Sequence, residues 1–234
     1  MAAEDAFAYA LSSNQAWSGY KGHQNPDFFP KLASGQSPAI RCSDSRCPET
    51  TILGLQPGDV FVHRNIANII SPTDINTAAV IEYAVVHLKV KHVVLCGHSS
   101  CGGAAAALGD NRVGGVLDIW LMPLKAVRKA HKEELESITD DKKRAVRIAE
   151  LNVEAGINVL MANASIQEAI AERGLQVHGT FFDIGTGRIR DLGIGTGKGG
   201  HHGLSGVNGD SDIVRGKHAM LVFRTDGEGS MQAL

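Results

Sequence analysis

The chain has 234 residues, of which 43% are hydrophobic and 21% charged, and its formal net charge is −2. That composition suits a single soluble globular domain with extensions. It excludes a global electrostatic attraction to nucleic acid or anionic lipid, and no apolar run approaches the roughly 18 residues that span a bilayer.

The N-terminus, "MAAEDAFAYALSSNQ", carries Glu4 and Asp5 and no early Lys or Arg. It resembles neither a secretory signal nor an Arg-rich transit peptide. The expected location is the cytoplasm, where cysteines serve as thiols or metal ligands rather than disulfides. Residues 4 to 20 read as a helix within an N-terminal helical arm, residues 1–38. "AIRC" is a short strand, and "DVFVHRN" (59–65) alternates as a second one. Thr73 and Asp74 are candidate N-caps for "INTAAVIEYAVVHL", whose apolar positions recur at helical spacing. "KHVVLCGHSSCGG" is a buried-strand pattern that ends in glycines and leads into a helix of small residues.

Residues 116–136 and 140–173 read as helical, with breaks expected near Gly156 and Asn163. Ser165 is a candidate cap for the last segment and Gly174 its stop. "LQVHGTFFDI" and "RIRDL" form a predicted hairpin around "GTGR". Alternating strands and helices predict an α/β fold with a mainly parallel central sheet flanked by helices. The α/β core is expected over 39–192. From Gly193 to Gly209 there are eight glycines in seventeen residues. A Gly-rich extension of the same domain, 193–234, is therefore expected to be irregular, with "KHAMLVFR" adding one strand.

The chemistry concentrates in two stretches. The four cysteines are Cys42, Cys47, Cys96 and Cys101, in two C-x4-C pairs. One reading is a four-thiolate zinc ribbon, although such knuckles usually have tighter spacing. The other ligand set is Cys42, His98 and Cys101. Both cysteines follow predicted strands, at the edge where open α/β sheets form ligand sites. Two thiolates and one imidazole leave a fourth tetrahedral position open, the mark of a catalytic zinc site. Asp44, two residues from Cys42, either ligates the metal or accepts a hydrogen bond from its water, and Arg46 can hold it by a bidentate pair. Cys47 and Cys96 read as buried thiols. His87 and His92 read as helix-end or surface residues, and the charges from Lys125 to Arg147 as a solvated face.

"CSDSR" (42–46), "HRNIAN" (63–68), "AAVIEYAV" (78–85) and "GHSSCGG" (97–103) together resemble a β-class carbonic anhydrase of fungal type. The similarity runs from about Asn14 to Leu192. The resemblance implies Zn2+ held by Cys42, His98 and Cys101, with Asp44 and Arg46 as the dyad that controls the fourth position. In some members the aspartate is an exchangeable fourth ligand; in others water is bound. The substrate pocket maps onto Gln36, Phe61, Ile66 and Tyr83, with the Gly102 amide near the bound anion. That pocket lies at a subunit interface in the family, so a homodimer or a tetramer is implied. Family members usually have a longer apolar strand before "CSDSR". Here only "AIR" intervenes, about three residues short, and Arg41 stands where a small residue is common.

The implied reaction is reversible hydration of carbon dioxide to bicarbonate and a proton by a zinc-bound hydroxide, with neither nucleic acid nor membrane as partner. Zinc hydrolysis of carbon disulfide or carbonyl sulfide would use the same ligands. A four-cysteine binding module is the third reading. It requires Cys47 and Cys96 to hold zinc and His98 not to.

Overall fold

Helices and strands alternate as the periodicity predicts, and the helices cover both faces of one sheet. A computed structural model describes residues 6–30, 43–54, 60–196 and 219–223. In chain order the elements begin with α1 (Ala6–Gln24), α2 (Glu49–Leu53), β1 (Val60–His63) and a 3-10 turn (Ile66–Asn68). Then come α3 (Ile75–Glu82), a π turn (Tyr83–His87), β2 (His92–His98) and α4 (Gly102–Leu108). Helices α5 (Val116–Trp120), α6 (Met122–Ala130), α7 (Lys132–Ser137), α8 (Asp141–Met161) and α9 (Ala164–Arg173) follow. The chain closes with β3 (Gln176–Asp183), β4 (Arg188–Gly195) and β5 (Ala219–Phe223). The strand expected at "AIRC" lies outside the described residues.

The sheet order is β1-β5-β2-β3-β4. β2 and β3 pair in parallel, whereas β5 is antiparallel to both β1 and β2, and β4 is antiparallel to β3. β1, β2 and β3 therefore share one direction, as a mainly parallel sheet requires, although among the described strands only β2 and β3 pair in parallel. The strand expected in "KHAMLVFR" is present as β5, and it lies inside the sheet rather than at its edge. β4 runs on to Gly195, past the predicted end at Leu192.

All seven residues of β2 are buried. Val93 and Leu95 join a cluster with Val153, Ile157 and Leu160 of α8 on one face. Val94 and Cys96 join Phe7, Ile52 and Leu53 of α1 and α2 on the other. This two-residue alternation between two apolar layers explains why the strand reads as a continuous apolar run. Each such side chain contributes roughly 1.5–3 kcal/mol on burial. α8 lies very close to β2. A Cβ at Gly156 would sit 2.5 Å from Leu95, and one at Gly97 would sit 2.4 Å from Val153. Gly156 consequently fits inside an unbroken helix, and the break expected there is absent.

Local caps follow the sequence with one exchange. Asp74 caps α3, its side chain accepting from the Asn76 amide at 3.1 Å. Gly174 ends α9 in the left-handed region, at φ 71°. The cap of α9 is Asn163, which accepts from the Ile166 amide at 3.1 Å, not Ser165. Ser165 instead donates to Glu82 at 2.7 Å. His92 is also corrected: it is buried at the start of β2, its Nδ1 3.1 Å from Nε2 of His178.

One buried amide ties the N-terminal helix to the core. Asn14 donates to the carbonyls of Ile52 and Gly187 at 3.1 and 2.8 Å, and its Oδ1 accepts from the Ile189 amide at 2.8 Å. Helix α1 is thereby joined to α2 and to the β3–β4 turn, and the polar cost of burying the amide is met.

Candidate metal centre

The loop after Cys42 is held from two sides. Arg64, directly after β1, donates through Nη2 to the carbonyls of Asp44 and Cys47 at 2.9 and 3.0 Å, and its Nη1 meets Glu49 at 3.1 Å. Across the loop, Arg46 Nη2 reaches the carbonyl of Ser100 at 3.4 Å. Residues 43–47 thus sit at the carboxyl ends of β1 and β2, against the "HSSC" segment. Arg64 belongs to "HRNIAN", whose spacing alone assigns it no role.

Arg46 grips Asp44 as a fork. Its backbone amide and Nε meet Oδ1 at 2.8 and 2.9 Å, and Nη2 meets Oδ2 at 2.8 Å. The two side chains are 6% and 0% exposed. Such a pair is geometrically specific, and removing one partner strands a buried charge. Asp44 also holds a left-handed backbone, φ 56°. Ala67, Asn68 and Ser100 share that region, so four of the five non-glycine residues with positive φ among the described residues lie in the loops of this end of the sheet. Each costs of order 1–3 kcal/mol, and such strain clusters where function demands a fixed geometry.

His98 ends β2 and is fully buried. Its Nδ1 is 3.0 Å from the Ser99 carbonyl. A carbonyl only accepts, so Nδ1 carries the proton and Nε2 the lone pair, as a metal-ligating imidazole requires. Cys101 caps α4, and its Sγ accepts from the Ala104 amide at 3.1 Å. An amide aimed at sulfur favours the thiolate. These donors fit zinc. Among the described residues no three His, Cys, Asp or Glu groups converge on one metal position. Cys42, the third predicted ligand, lies outside them, as does Gln36.

The other two cysteines belong to the packing. Cys47 and Cys96 are buried within the cluster of α1, α2 and Phe182. Burial, with the nearby Asp44 charge, pushes the Cys47 thiol well up. Burial raises the Cys96 thiol to about 11. Both pack in an apolar layer with Phe7, Ile52, Leu53 and Phe182, which disfavours the four-thiolate set.

The predicted pocket residues fall into two groups. Phe61 on β1 and Tyr83 at the π turn have ring centroids 5.7 Å apart. Ile66 lies on the 3-10 turn beside α4, where a Cβ at Gly103 would meet Ala67 at 2.8 Å and Ile66 at 3.6 Å. Gly102 starts α4. Two residues outside the motifs hold the turn. Trp120 donates to the Ile66 carbonyl at 2.6 Å, and Asn152 on α8 donates to the Ala67 carbonyl at 2.7 Å.

Buried sulfur and imidazole donors lie beside a forked Asp–Arg pair at the edge of an α/β sheet, residue types that suit zinc. Comparison with known proteins makes the class specific. The family model for carbonic anhydrase matches residues 38–189. A carbonic anhydrase of Emericella nidulans is 46% identical over 188 residues, which is 79% of this chain and 82% of that protein. One of two tetrameric β-carbonic anhydrases from Sordaria macrospora is 75% identical in the superposed structures. That match covers 83% of this chain and 100% of the other, with a TM-score of 0.66. The β-carbonic anhydrase CafA of Aspergillus fumigatus is 53% identical over 80% of this chain and 91% of its own, with a TM-score of 0.63. The chain belongs to the β-carbonic anhydrase family. The sulfur-heterocumulene and zinc-ribbon readings are not favoured.

Proposed function

We propose that the chain catalyses reversible hydration of carbon dioxide at a zinc ion held by Cys42, His98 Nε2 and Cys101 Sγ, with Asp44 and Arg46 controlling the fourth position. Family membership makes it a carbonate dehydratase, and its family is zinc-dependent. The observation that carries the residue roles is the Arg46 fork, which holds both oxygens of Asp44 while Arg46 also touches Ser100, between His98 and Cys101.

Zinc, when bound, supplies Lewis acidity that brings the pKa of a water to about 7, the value established for carbonic anhydrase. Asp44 accepts a hydrogen bond from the attacking water and aims its oxygen at the carbon of carbon dioxide. Arg46 occupies both carboxylate oxygens, which supports an aspartate held off the metal. Phe61, Ile66 and Tyr83 line an apolar slot for an uncharged linear substrate. Gln36 and the Gly102 amide contact the bicarbonate formed, and the proton leaves to solvent. Ile66 and Tyr83 are 41% and 38% exposed, large apolar surfaces for a single chain. Together with the tetrameric Sordaria relative, they support self-association as a homodimer or tetramer.

Stopped-flow carbon dioxide hydration, with zinc content determined on the same samples, tests this reading. Cys42→Ser, His98→Ala and Cys101→Ser are expected to lose zinc and activity together. Cys47→Ser and Cys96→Ser are expected to retain a full equivalent of zinc. The opposite pattern would establish a four-thiolate site and refute the ligand assignment.

A further inference from the structure

We infer that Ser99 and Asp183 are positioning residues for the His98 ligand: a carboxylate on β3 fixes the peptide whose carbonyl orients the imidazole. The inference rests on the zinc reading given above.

Ser99 is fully buried and follows β2 directly. Three hydrogen bonds stitch it to the end of β3. Its amide donates to the Phe182 carbonyl at 3.2 Å. Its hydroxyl donates to Asp183 Oδ1 at 3.3 Å and accepts from the Ile184 amide at 3.3 Å. The hydroxyl's one proton is therefore committed to the carboxylate. The Ser99 carbonyl then receives His98 Nδ1–H at 3.0 Å. Its amide and side chain both tie Ser99 to the end of β3, and this anchorage places the carbonyl that orients the imidazole.

Asp183 is itself anchored. Oδ1 accepts from the Gly185 amide at 2.7 Å, and Oδ2 accepts from the Thr186 hydroxyl at 2.6 Å. A carboxylate that is 7% exposed is costly to bury, and these donors offset the cost. β2 and β3 pair in parallel, with His98 opposite Phe182, which brings Asp183 beside Ser99. A relay of carboxylate, hydroxyl, carbonyl and imidazole results, built from two strand ends 84 residues apart. Outer-shell partners of this kind fix ring orientation and ligand basicity, and losing one typically costs about 10–100-fold in metal affinity.

The test is chelator competition on zinc-loaded Ser99→Ala, Asp183→Ala and Asp183→Asn proteins. Visible spectra of the cobalt-substituted forms and thermal unfolding are recorded alongside. Ser99→Ala and Asp183→Ala are expected to release zinc at roughly 10–100-fold lower chelator strength and to shift the cobalt bands. Asp183→Asn is expected to stay within about threefold of the parent, because it keeps Oδ1 for Ser99 and Gly185 and offers a donor to Thr186. If Asp183→Ala does not fold, Ser99→Ala decides. Lower melting temperatures with unchanged zinc affinity and cobalt spectra would reduce both residues to a structural role and overturn the inference. His98→Ala in the same competition separates the two layers. If it keeps zinc, the ligand assignment fails; if it alone loses zinc, only the positioning role fails.

Discussion

Arg46→Ala is expected to abolish most activity and to destabilise the protein, because the two losses share one cause. Asp44 is buried, and Arg46 supplies three of the donors that meet its oxygens. Two of these are guanidinium nitrogens; the backbone amide remains after truncation. Stripping the guanidinium from a buried carboxylate costs about 3–5 kcal/mol. The carboxyl escapes that cost by taking up a proton or by turning to the metal. The metal-bound form displaces the attacking water, and the protonated form has lost the charge that makes it a strong acceptor for that water. A positioned acid–base group typically contributes about 10²–10⁴-fold, so stopped-flow rates should fall by at least a hundredfold.

Two further variants separate the effects. Arg46→Lys keeps the charge but not the fork, and should retain stability better than activity. Asp44→Ala combined with Arg46→Ala removes both charges. It should recover much of the stability, as measured by urea unfolding, and none of the rate. Activity of Arg46→Ala within twofold of the parent would remove the dyad from the mechanism.

Much of this centre was legible because its parts are local. Asp44 and Arg46 are two residues apart, and His98 and Cys101 lie three apart on a strand-to-helix turn. The chemistry of those residue types at that spacing is readable without a fold. The clamps were not legible for the opposite reason. Arg64 reaches back 20 residues to the Asp44 carbonyl, and Asn14 meets the Ile189 amide across 175. No period or cap signal encodes contacts of that range. The α9 cap shows the same limit on a small scale. Asn163 and Ser165 are both acceptable cap residues, and Glu82, on another helix, takes the serine. His92 read as a surface residue because strand periodicity cannot tell a polar outward position from a buried one that meets a second histidine. The order of the sheet was hidden too. An apolar run of five residues announces a strand, but not its neighbours.

The place of β5 inside the sheet makes it a sensitive point for stability. β5 is the sole strand partner of β1 among the described residues, and it joins β1 to β2. Val222 stands opposite Phe61 on one side and Val93 on the other. A proline there removes a ladder hydrogen bond from a strand paired on both edges, a position that sheets do not tolerate. On the scale of about 3 kcal/mol for proline inside a regular element, Val222→Pro should lower Tm by roughly 6–12 °C.

Truncation after His218 should go further and detach β1. Its strand carries Phe61 of the proposed substrate slot and leads directly into Arg64, which holds the Asp44 and Cys47 carbonyls. Amide exchange across Val60–His63 should then rise to loop-like rates, and carbon dioxide hydration should fall with it. A peptide spanning residues 215–227, added in trans, should restore both by taking the vacated place in the sheet, since backbone pairing provides much of the affinity in strand addition. Full activity and unchanged β1 protection in the truncated protein would show instead that β1 finds its place without β5. The loop that carries Asp44 would then owe its position to Arg64 and Arg46 alone.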